Sequence, residues 1–115
     1  MDKQEQAVVV YRPSINGKPM GNNISYEYAI DKQDPDKHLQ SQLQYVAKEV
    51  YFYLYQQLAN MTDTDTDPKE QLEHWINQTV INRTYMTAHS TGYATVWYRQ
   101  HTYELSELIN NNSND

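Results

Sequence analysis

The chain has 115 residues, a formal net charge of −6 and no cysteine. That length suits a single domain with a real core. The missing cysteines exclude disulfide frameworks, thiolate catalysis and thiolate zinc sites, the absence of any long apolar run excludes a helical membrane span, and the acidic balance argues against broad binding to phosphate backbones.

The first residues, Met1 to Gln6, are polar and carry no apolar signal-peptide core, so a cytoplasmic location is expected. Residues 1–5 are expected to be a disordered tip. Residues 7–12, Ala-Val-Val-Val-Tyr-Arg, are rich in β-branched side chains and predict a strand, which Pro13 is expected to end or to place at a sheet edge. Ser14 to Asn23 contains Asn16-Gly17, Pro19 and Gly21-Asn22, all turn chemistry. From 24 to 30 the pattern alternates. Ile24, Tyr26, Tyr28 and Ile30 share one side of a half-buried strand, with Ser25, Glu27 and Ala29 on the other.

A first helix is predicted from an Asp34 cap, with Pro35 at its first position and Asp36 in its first turn. Leu39, Leu43, Val46, Val50, Leu54, Leu58 and Met61 recur at three- and four-residue steps and mark a core face. At 100° per residue, Tyr45 and Phe52 fall nearly opposite that stripe, with Tyr51 and Tyr55 on a flank. Two readings are open. Either the hairpin loop or the second helix covers these rings, or they form an interface.

The acidic run Asp63-Thr64-Asp65-Thr66-Asp67 spaces its carboxylates as a calcium loop does. Pro68 stands where such a loop requires glycine, and His74 where it requires a bidentate glutamate, so the run reads as a cap. Asp67 caps a second helix beginning at Pro68, with Glu70 placed to complete a capping box. Leu72, Trp75, Ile76, Thr79 and Val80 are expected on one face, and a strand is expected to begin near residue 81. Residues 93–103 predict another strand, paired with Thr84 to His89 through Ser90-Thr91-Gly92. Residues 104–109 predict a last helical turn, and 110–115 a disordered tail.

The predicted fold is α+β: one domain, an antiparallel sheet of about four strands, two helices on one face, in the order ββααββ. No motif specifies a reaction. Glu70 and His74 are the one local pair with metal-ligand spacing, short of the three or four ligands a zinc site needs. There is no nucleophile elbow and no phosphate-cradling glycine loop. No catalytic residue, metal or cofactor is therefore expected, although an enzyme built on His74 or His101 stays open.

Strict alternation would place Tyr93, Trp97, Arg99, His101 and Tyr103 on one outer sheet face, joined by Arg83 and Tyr85. Aromatic rings between cations suit a single-stranded nucleic-acid platform or a protein hot spot, and the same face could instead be core. The leading expectation is a small acidic module without catalytic activity that binds a protein partner by occlusion, as a homodimer. Its contacts would come from Tyr45, Phe52 and Tyr55, or from Trp97, Arg99, His101 and Tyr103, with Asp63, Asp65 and Asp67 steering it towards a basic surface. Such modules are common among accessory proteins of phages and mobile elements, including inhibitors of host nucleases. The alternatives are a single-stranded nucleic-acid binder, which the net charge disfavours, and a structural subunit of a larger assembly.

Overall fold

The structure, a computed structural model, describes residues 6–30, 36–61, 65–88 and 95–112. Their order is β1 (Gln6–Ile15), β2 (Lys18–Pro19), β3 (Tyr26–Ile30), α1 (Leu39–Ala59), α2 (Pro68–Asn77), β4 (Thr79–Ala88), β5 (Thr95–Glu104) and α3 (Leu105–Asn112). The fold is α+β, and its sheet is antiparallel throughout. β1 is central, with β4 and then β5 on one side and β2 and β3 sharing the other.

The valine run of β1 has the β-branched composition that a strand flanked on both sides requires. β1 does not stop at Pro13 but runs on to Ile15. The Pro13 carbonyl accepts from the Met20 N–H at 3.1 Å. A strand residue aims its N and its O towards the same neighbour, so the missing N–H of Pro13 points away from the β4 ladder. It falls in the gap after β3 ends opposite Tyr11 and before β2 begins opposite Ser14. Asn16 (φ 57°) and Gly17 (φ 82°) then make the two-residue hairpin between Ile15 and Lys18, the left-handed pair that a tight right-twisted hairpin needs.

β3 alternates as the pattern requires: Tyr26, Tyr28 and Ile30 are half-buried against the core, while Glu27 and Ala29 are exposed. The core face of the sheet is set by register. Val9 lies beside Tyr28 and Tyr85, Tyr11 beside Tyr26 and Arg83, and Ile81 beside Tyr103. This is the face that the helices cover. Leu43, Val46, Ala47, Val50 and Leu54 of α1 join Val9, Tyr11, Ile81, Tyr85, Leu105 and Leu108 in one buried cluster. The other face carries the exposed Arg12, Glu27, Asn82 and Thr102 beside the buried Val10 and Thr84.

Three further element boundaries differ from the sequence reading. α1 begins at Leu39, with Asp36–His38 in a turn and His38 as a cap that makes no side-chain bond. The Asp36 carboxylate instead accepts from the Tyr85 hydroxyl at 3.0 Å, so it is tied to the sheet rather than placed in a first helical turn. The expected Asp34 cap and Pro35 lie outside the described residues. β4 begins at Thr79, directly after α2. The run Thr79-Val80-Ile81 is a poor helix former and a good strand former, and the Thr79 hydroxyl donates to the Trp75 carbonyl at 2.7 Å, satisfying a terminal carbonyl of α2. α3 is longer than one turn, taking its last residues from the asparagine tail because Leu105, Leu108 and Ile109 dock it on the core. The start of α2 agrees with its signal: Pro68 is its first residue, and the Asp67 side chain accepts from the Lys69 N–H at 3.1 Å.

Candidate interaction site

α1 carries the core stripe on one side. On the opposite side it leaves large rings in solvent: Tyr45 is 53% exposed, Phe52 56%, Tyr55 53% and Tyr51 36%. Among the described residues neither the β1–β3 loop nor α2 covers them, so of the two open readings the cover by that loop or by the second helix is not met. The loop packs elsewhere. Met20 is buried in the core, and Gly21 (φ +56°) approaches α1 so closely that a β-carbon there would meet Ile24 Cδ1 at 2.8 Å and the Tyr53 hydroxyl at 3.0 Å. It therefore covers Tyr53, one residue along, and a cleft of about 340 Å³ remains between Met20, Tyr53, Met61 and Trp75.

The exposed face of α1 is also poor in charge. Across Leu39–Ala59 only Lys48 and Glu49 are charged, and they cancel. A protein of net charge −6 thus holds its excess charge away from its most aromatic surface. Depletion of charge together with enrichment of Tyr and Phe is the composition of an interface centre.

The second expected surface is not assembled as alternation implied. Within β4–β5 the ladder pairs Arg83 with His101 but Tyr85 with Tyr98. One extra residue therefore enters β5, and such a bulge shifts the parity of the register positions beyond it. Trp97 lies in register with Met86, out of phase with His101 and Tyr103. Trp97 and Arg99 sit on the β5 backbone and Tyr93 lies outside the described residues. Arg83, Tyr85 and Tyr103 do share a face with His101, but it is the helix-covered one. Arg83 and Tyr85 are buried, Tyr103 is half-buried against the core, and only His101 is exposed.

Arg83 is the unusual member of that group. It is 8% exposed, with its guanidinium 5.1 Å from the Tyr85 ring and 5.4 Å from the Tyr103 ring. Its Nε and Nη1 are fully buried and make no hydrogen bond. Sequence reasoning left open whether the face of Arg83 is an outer surface or core, and only the knowledge of which sheet face is covered decides it. Around it, burial pushes the hydroxyl of Tyr11 well above its ordinary range, against the opposing pull of Arg83. Burial, and then the bond donated to Asp36, raise that of Tyr85. Tyr26 and Tyr28 are raised by burial and, less strongly, by Glu49 and neighbouring tyrosines including Tyr45.

Of the acidic run, Asp67 is occupied as the α2 cap, Asp65 is exposed, and Asp63 lies outside the described residues. His38, His74 and His101 are exposed at separate places, and His89 is not described. Among the described residues no three His, Asp or Glu side chains gather as metal ligands, and no helix is long and apolar enough to cross a membrane. In comparison with known proteins, no family model matches the chain, nor does any curated protein or solved structure.

Proposed function

We propose that this chain is a non-catalytic protein-binding module that works by occupying surface, with the outward face of α1 as its contact. The observation that carries this reading is the exposure of Tyr45, Phe52 and Tyr55 together, on a neutral face of an otherwise acidic protein. Each half-exposed ring offers roughly 100 Å² for burial, or about 2.5 kcal/mol at ~25 cal/mol per Å². Three rings supply a gross gain of about 7 kcal/mol, comparable to the cost of association itself. The contact therefore depends on the flanking glutamines and Tyr51 as well, and a moderate, reversible affinity is expected. Inhibition of a host protein by a phage or mobile-element accessory protein is one setting that such occlusion fits.

The test is capture by the immobilised chain from cell lysate, with and without nuclease. The expected outcome is a protein that survives nuclease, is lost with the triple variant Tyr45→Ala, Phe52→Ala, Tyr55→Ala, and is retained with Trp97→Ala, Arg99→Ala. Capture indifferent to the triple variant would overturn the reading. Capture abolished by nuclease would move the function to nucleic acid.

A further inference from the structure

From the spacing of the exposed residues on α1 we infer that the partner of this face is a second copy of the chain, docked with its helix antiparallel to the first. The inference rests on the reading of α1 as a contact surface and names its occupant.

Ser41, Tyr45, Lys48, Phe52, Tyr55 and Ala59 follow one another at steps of four and three residues along α1. This is the spacing of a seam between two packed helices. At 100° per residue all six lie within about 40° of the line directly opposite Val50, and all six are exposed while Val50 is buried. The seam therefore points away from the buried side of α1.

The six residues are also arranged evenly about Val50. An antiparallel copy related by a two-fold axis at that level brings Tyr45 against Tyr55 of the other copy, Lys48 against Phe52, and Ser41 against Ala59. Each meeting is chemically favourable. Two tyrosine rings stack with their hydroxyls at the wet rim, a lysine ammonium meets a phenyl face, and two small side chains at the ends let the backbones approach. The same surface patch serves on both sides, as a two-fold dimer requires.

Charge and area agree with this occupant. The seam holds one lysine and no acid, so the charge of −6 per chain does not meet itself across the contact. The half-exposed rings of Tyr45, Phe52 and Tyr55 contribute roughly 300 Å² per copy. Both copies together give ~600 Å², and the exposed Ser41, Gln44, Lys48, Tyr51 and Gln56 at the rim bring the interface towards the roughly 1,000 Å² of a specific contact. The resulting dimer has four layers: sheet, helices, helices, sheet.

The experiment is sedimentation equilibrium on the full chain over a wide concentration range. The wild type is expected at twice 13.6 kDa. Phe52→Lys, which sets a second lysine against Lys48 of the other copy, is expected to weaken association at least tenfold and to leave a 13.6 kDa species. Adding Lys48→Glu to that variant restores opposite charges across the seam and is expected to return the dimer. Both positions are exposed, and circular dichroism confirms that each variant is folded. A wild type that stays monomeric overturns the inference, as does a Phe52→Lys variant that stays dimeric. Failure of the double variant to recover overturns the antiparallel register. A monomeric chain whose capture of another protein still depends on Phe52 rejects the second copy while keeping the contact surface, whereas loss of both rejects the surface itself.

Discussion

Arg83 concentrates the opposing terms of the core in one side chain. Two buried donors without partners cost about 1–3 kcal/mol each, and stacking on two tyrosine rings offsets part of that at roughly 0.5–2 kcal/mol per ring. These nearly cancel. Arg83→Met, which keeps the apolar stem and removes the donors, is therefore expected to change stability by less than about 1 kcal/mol in urea denaturation. Arg83→Ala also removes the stem and leaves a void under Tyr11, and is expected to cost about 2–3 kcal/mol. A loss of several kcal/mol for Arg83→Met would mean that the guanidinium bonds to something essential.

The tyrosines around it bear on pH. Tyr11, Tyr26, Tyr28 and Tyr85 all hold their protons more tightly when folded, chiefly because burial disfavours the phenolate. A group raised on folding contributes its full stability below its unfolded value, near 10, and loses it as pH rises from there through the folded value. The urea midpoint is thus expected to stay level with respect to these groups up to about pH 9 and to fall above pH 10. Tyr11→Phe should flatten that fall. An unchanged slope in Tyr11→Phe would show that its hydroxyl does not govern the alkaline limb.

At the scale of elements, α1 separates two kinds of residue that sequence pattern alone treats alike. Leu54 is buried in the core and Phe52, two positions away, is half in solvent. Leu54→Ala is expected to cost about 2–4 kcal/mol of thermal or urea stability, and Phe52→Ser less than about 0.5 kcal/mol in the monomer. Comparable losses for the two would mean that the outer face is covered after all. The same contrast explains how much of the fold was legible. The core stripe of α1, the alternation of β3 and the Asp67-Pro68 start of α2 were readable because each is a local rule obeyed locally. The start of α1 was not, because Asp36 answers to Tyr85, 49 residues away. The register of β5 was not, because one added residue opposite Thr84 breaks the parity on which alternation depends. Of the candidate site, the positions of Tyr45 and Phe52 opposite the core stripe, with Tyr55 on its flank, followed from helical geometry. That nothing within the described residues covers them required knowing where the β1–β3 loop goes.

For the whole molecule, the helices close one face of the sheet, and α1 in turn is left with a face of its own. A sheet covered by a layer of helices is complete as a core, so the rings on the outer side of α1 add little to folding and suit a second surface instead. The placement of charge points the same way, since Glu70 and Glu73 are exposed on α2, and Glu27, Glu104 and Glu107 are exposed on β3, β5 and α3, while the α1 seam carries one lysine and no acid. Under the proposed function, a long-range acidic field would orient encounters and be weakened by salt, while a short-range aromatic contact on α1 would be left largely intact by salt. The most direct test of the α1 surface is hydroxyl-radical footprinting of the chain across dilution and with any captured protein added. Tyr45, Phe52 and Tyr55 are expected to oxidise several-fold more slowly in the associated state than in the dilute one, while the exposed His101 is unchanged. Equal oxidation of the three rings in every condition, in a sample shown to be associated, would contradict the assignment of α1 as the contact.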